Sequence, residues 1–105
     1  MPVGLVKALR RIRTLAAQRR VRFTLKALRE LAAVGLDWLD ACATLEALKF
    51  QDFTERLESE LTGEWMYVFK PQVGASVFYV KVILRSDCLV ISFHEDEDGE
   101  DDEED

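Results

Sequence analysis

The chain of 105 residues carries 14 Lys and Arg against 20 Asp and Glu, two Cys, one His and 49% apolar residues. That is enough to bury one core without disulfides and too little for several domains. No run of 18 apolar residues occurs, and the apolar start at Val3 is broken by Lys7 and Arg10. Neither a membrane span nor a signal peptide is therefore expected, and the expected location is the cytoplasm.

The net charge of -6 hides a strong asymmetry. Residues 1–30 hold nine basic groups (Lys7, Arg10, Arg11, Arg13, Arg19, Arg20, Arg22, Lys26, Arg29) and a single acid, Glu30. Residues 95–105 are ten acids and Gly99, so residues 1–94 alone carry +4. The acidic run has no apolar area to bury and repels itself, so 95–105 is expected to be a disordered tail on a single domain over 1–94. A cationic body points to a polyanionic partner, although a solvated basic helix has the same composition.

In chain order, residues 4–18 place Leu5, Leu9, Ile12 and Ala16 on one stripe at helical spacing, a basic amphipathic helix. Val21-Arg22-Phe23 reads as an extended link. Thr24 suits the N-cap of a second helix with Leu28, Leu31 and Ala32 inward, stopped by Gly35. Asp37 caps a third, in which Trp38, Cys42, Leu45 and Leu48 recur at helical spacing. Residues 51–61 are expected to be a fourth helix, with Phe53, Leu57 and Leu61 on one face. After Gly63 the period falls to two, predicting strands over 65–70, 77–85 and 88–93, the last two joined as an antiparallel hairpin by Ser86-Asp87. Helices followed by a twisted antiparallel sheet make an α+β arrangement. Cys42 and Cys88 have no metal-ligand or disulfide-framework spacing and are expected to be core thiols.

Alternation assigns Phe78, Val80, Val82 and Leu84 of the second strand to the core, with Tyr79, Lys81, Ile83 and Arg85 opposite. In the third strand Leu89, Ile91 and Phe93 match the core row, leaving Val90, Ser92 and His94 outward. In the first, Trp65, Tyr67 and Phe69 form the more apolar row, with Met66, Val68 and Lys70 opposite. One polar face should then carry Lys70, Tyr79, Lys81, Arg85 and His94. Cleaving RNA without a metal needs proton transfer at the 2′-hydroxyl and the 5′-oxygen, and cations on the phosphorane. An imidazole ordinarily titrates near neutrality, lysines supply charge, and a tyrosine can orient a phosphate or stack on a base. The same set also fits RNA binding without chemistry, or a plain solvent-facing row.

An ordered series of segments resembles the MqsR family of toxins, the RNA-cleaving partners in type II toxin-antitoxin pairs. It comprises Gly35-Leu36-Asp37-Trp38, Cys42, Leu48, Asp52-Phe53, Trp65, Val68-Phe69-Lys70-Pro71, Tyr79-Val80-Lys81 and Leu89-Val90-Ile91-Ser92-Phe93. The resemblance, over about residues 5–94, implies a fold similar to the RelE-like ribonuclease toxins. It also implies ribosome-independent endoribonuclease action on mRNA, with no metal or organic cofactor. The family's catalytic tyrosine matches Tyr79. Its C-terminal catalytic lysine is His94 here, and the glutamine beside the tryptophan is Met66. The lysine after Asp-Phe falls on Glu55 beside Arg56. Either Glu55 acts as a general base or Arg56 takes the cationic role, the second being preferred. The expected catalytic set is His94, Tyr79, Lys81 and Lys70 with Arg56 or Glu55, and Arg85 and Arg22 are expected RNA contacts. The implied partner is an antitoxin, expected to be a helix-turn-helix DNA-binding protein through which alone promoter DNA is reached. A non-catalytic, RNA-binding or regulatory relative is the alternative.

Overall fold

A computed structural model of the chain describes residues 4–96. The elements run α1 (Leu5–Ala17), β1 (Val21–Phe23), α2 (Leu25–Ala33), α3 (Trp38–Glu46), a 3-10 turn (Phe50–Asp52), β2 (Phe53–Glu58), β3 (Trp65–Phe69), β4 (Gln72–Val73), β5 (Ser76–Leu84) and β6 (Cys88–Glu95). Caps set the helix boundaries. Thr24 accepts from the Ala27 N–H at 3.1 Å, and Asp37 and Asp40 close a reciprocal capping box at 2.9 Å on each side. Gly35, at φ +75°, ends α2 in the left-handed region that a Cβ disfavours.

Three helices pack on a mixed open sheet, an α+β fold. The strand order is β1-β6-β5-β3-β2, with the short β4 paired to β5. The segment 21–23, expected as a link, is β1, and it runs parallel to β6 at the sheet edge. Every other pairing is antiparallel. One core lies between the helices and one sheet face. It joins Leu9, Ile12 and Leu15 of α1, Ala41, Cys42 and Leu45 of α3, and Phe69, Val80, Val82, Val90 and Phe93 of the sheet. A fully buried Leu or Ile contributes about 1.5–3 kcal/mol, so the α1 stripe alone supplies a large share of a small domain's stability. In α2 the buried residues are Ala27 and Leu31, whereas Leu28 is 45% exposed and Ala32 exposed. This helix follows the rim of β6 and buries a narrower stripe than a helix lying flat on a sheet.

Two further expectations are overturned. Residues 51–61 form no α-helix: the 3-10 turn and β2 occupy the segment, and Leu61 is 94% exposed. Phe53, Leu57 and Leu61 are four apart, a spacing that is near the helical period and also a multiple of two. Pairing with β3 satisfies the β2 backbone and decides between them. Second, the phase of β6 changes along its length. Lys81 pairs with Ser92 but Val82 pairs with Val90, so Ile91 is the extra residue of a bulge. Val90 therefore joins the core and Leu89 leaves it, while Phe93 stays inside and Ser92 and His94 stay opposite. Glu95 closes β6 and the Asp96 N–H donates to the Val77 carbonyl at 2.8 Å. The rest of the expected acidic tail lies outside the described residues.

Candidate active site

The sheet face away from the helices is organised in rows across the strands. One row is Glu55 (β2), Val68 (β3), Lys81 (β5) and Ser92 (β6). The next pairs Tyr79 with His94. Their rings stack with centroids 5.1 Å apart and planes 10° from parallel, and the Lys81 Nζ lies 6.0 Å from the Tyr79 ring centroid. Consecutive same-face positions are about 7 Å apart along a strand, so the phenol, imidazole and ammonium converge on a patch the size of one nucleotide linkage. The His94 Nδ1 lies 2.8 Å from the Glu95 carbonyl oxygen. A carbonyl only accepts, so Nδ1 carries the proton, and in the neutral ring Nε2 is the acceptor. Lys70 follows β3 with its backbone N–H donating to Asp52 at 2.7 Å, and its Nζ reaches the Asp96 carboxylate at 3.5 Å. By continued alternation Asp96 is on the same side as His94, which brings Lys70 to this face.

The remaining expected residues separate. Glu55 and Arg56 stand on a strand instead of a helix, so they point to opposite faces. Glu55 joins the Lys81 row, three strand spacings from the His94 strand, or about 14 Å of backbone. Arg56 pairs with Tyr67 on the other face, and its guanidinium sits 4.1 Å from the Trp65 ring centroid. This register opposes the preference for Arg56 as the cation of the site. Arg85 and Arg22 lie at the far end of the β5–β6 hairpin, each on a carboxylate. Arg85 binds Glu64 in bidentate fashion at 2.9 and 2.7 Å, and Arg22 binds Asp87. The Arg85 hydrogen bond and charge hold Glu64 down at about 2, and Arg22 likewise holds Asp87 low. Between this end and the Tyr79–His94 pair lies the apolar row Leu57, Met66, Ile83 and Leu89. Both arginines are charge-compensated and distant from the site.

Two residues of α2 that the sequence did not single out border the site. Past the end of β1, the β6 edge is covered by α2: Glu30 Oε1 accepts the Phe93 N–H at 2.9 Å, and Lys26 Nζ donates to Ser92 Oγ at 3.0 Å and pairs with Glu30 Oε2 at 2.8 Å. Burial opposes ionisation of Glu30, but the Lys26 hydrogen bond, the Phe93 N–H and the charges of Lys26 and His94 outweigh it and hold the carboxyl below its ordinary value. The Lys26–Glu30 spacing of four on a helix was the available signal; nothing in the sequence placed it against β6. Cys42 and Cys88 are buried free thiols, and burial, then the Asp87 and Cys42 charges, push Cys88 up to about 12. Among the described residues no group of three or more His, Cys, Asp or Glu is placed to hold a metal ion, and no helix is long and apolar enough to cross a membrane.

Comparison with curated proteins returns no match. The sequence model described as "Motility quorum-sensing regulator, toxin of MqsA" matches residues 6–95, which takes in all three helices except Leu5 at the start of α1, the whole sheet and the Tyr79–His94 row. With that much of its length accounted for, the chain belongs to the motility quorum-sensing regulator toxin family, the toxin side of a toxin-antitoxin pair.

Proposed function

We propose that this toxin is an endoribonuclease that cleaves mRNA without a metal ion or the ribosome, and so stops translation and growth. The observation that carries this reading is the stacked Tyr79–His94 pair with Lys81 beside it on one sheet face. The 2′-oxygen attacks phosphorus as its proton leaves, the bond from phosphorus to the 5′-oxygen breaks, and that oxygen gains a proton. The products are a 2′,3′-cyclic phosphate and a 5′-hydroxyl. His94, through Nε2, is the acid-base group, and Tyr79 orients the phosphate. Lys81 and Lys70 stabilise the phosphorane charge, and Glu55 is placed to assist only from the far side of Lys81. In this reading the chain works in the cytoplasm and is neutralised by a DNA-binding antitoxin, expected to be of helix-turn-helix type, through which the pair reaches its promoter.

The test is incubation of the full chain with a long RNA, with and without EDTA. Cleavage should be indifferent to EDTA and fall about 10²-fold or more in His94→Ala and in Tyr79→Phe. RNA that is bound but never cut by the intact chain would favour the non-catalytic alternative. Cleavage undiminished in His94→Ala would remove His94 from the mechanism.

A further inference from the structure

We propose that Lys26 of α2 is an RNA phosphate contact that acts with Lys81, a role that rests on the ribonuclease reading of the same face. Helix energetics favour a lysine there only weakly. Lys26 is in the first turn of α2, at the positive end of the helix dipole, and a Lys followed by Glu four residues on is the weaker order of such a pair. A residue that contradicts two local preferences is held for something else.

Tertiary contacts fix its ammonium. One N–H goes to Ser92 Oγ at 3.0 Å and one to Glu30 Oε2 at 2.8 Å. Ser92 is 3% exposed and is the register partner of Lys81. Lys81 on β5 and Lys26 on the edge helix therefore flank one buried hydroxyl from opposite sides. An ammonium has three donors. With two engaged, the third remains for a ligand on a side chain that is 60% exposed. Both Glu30 oxygens are already occupied, by the Phe93 N–H and by Lys26. Lys26, Glu30 and Lys81 sum to one positive charge, which a single phosphate neutralises. This row is one same-face step, about 7 Å, from the Tyr79–His94 pair, so its phosphate is a neighbour of the cleaved linkage on the same strand.

A 2′-O-methylated oligoribonucleotide, which cannot be cleaved through its 2′-oxygens, tests this by fluorescence anisotropy with the full chain over a salt series. At about 0.1 M salt, Lys26→Gln should weaken binding about fivefold and reduce the slope of log affinity against log salt by about 0.7. Lys26→Arg should retain both, and Lys7→Gln, an exposed cation of α1 on the helix side of the sheet, should change neither. Affinity and slope in Lys26→Gln equal to the intact chain would overturn the assignment, as would equal losses in Lys26→Gln and Lys7→Gln. The two readings fail separately. Oligonucleotide binding that depends on Lys26 in a chain that never cuts long RNA sinks the ribonuclease and keeps the contact. Cleavage with an unchanged KM in Lys26→Gln does the reverse.

Discussion

Replacing Glu30 by Ala isolates the part that α2 plays in holding β6. β1 pairs with β6 only as far as Val90, so the Phe93 N–H meets no strand and relies on Glu30 Oε1 at 2.9 Å. The Phe93 side chain is wholly buried and the Glu30 side chain is 21% exposed, so water reaches this edge poorly. A hydrogen bond to a charged acceptor contributes roughly 1.5–3 kcal/mol, whereas the Lys26–Glu30 pair adds little because Lys26 is largely in solvent. The expected loss in Glu30→Ala is about 2 kcal/mol, which at an m-value near about 2 kcal/mol/M lowers the urea midpoint by about 1 M with m unchanged. Glu30→Gln keeps an acceptor for the N–H and should lose about half as much. Glu30 is held below its ordinary value, so its contribution is present above the unfolded carboxyl range and is lost as pH falls through the folded one. The gap between the intact chain and Glu30→Gln should therefore narrow on acidification. A midpoint for Glu30→Ala within about 0.2 M of the intact chain would show that this edge needs no carboxylate and refute the reasoning.

Other expectations follow from single contacts. Leu9, fully buried between α1 and the sheet, should cost about 2–5 kcal/mol when replaced by Ala, read in the same denaturation assay. Arg85 holds Glu64 at about 2, so that pair's stabilisation is complete above the ordinary carboxyl value of 4.5 and disappears as pH falls toward 2. Urea midpoints of the intact chain and Arg85→Gln should converge over that window; a gap that widens would contradict the pairing. Cys42 and Cys88 are both buried, so an aromatic disulfide reagent should label them only as fast as the chain opens. Rapid labelling of native protein would mean that the core is looser than described.

The α+β layout, the three helices, the caps of α2 and α3 at Thr24 and Asp37, and the β5–β6 hairpin were all legible in the residue pattern. So was the outward phase of Tyr79, Lys81 and His94, because periodicity and capping act over a few residues. The stretch 51–61 was not legible, since an apolar spacing of four fits both a helix and a strand until a partner strand offers its hydrogen bonds. Glu55 and Arg56 inherit that ambiguity: on a helix they would lie about 100° apart, and the pleat instead sends them to opposite sides of the sheet. Strict alternation also misassigned Leu89 and Val90, because a one-residue bulge at Ile91 is a property of the pairing between strands and leaves no local mark.

Sequence alone determined which residues could line a cationic sheet face, because side-chain direction within a strand is fixed by the backbone of that strand. Only the tertiary structure decided that Arg22 and Arg85 are spent on Asp87 and Glu64 at the far end of the hairpin, and that Lys26 and Glu30 stand beside Ser92 and Phe93. Those contacts join residues more than twenty, and in three cases more than sixty, positions apart in the chain. Their geometry is set by how α2 meets the rim of the sheet, which no local periodicity encodes.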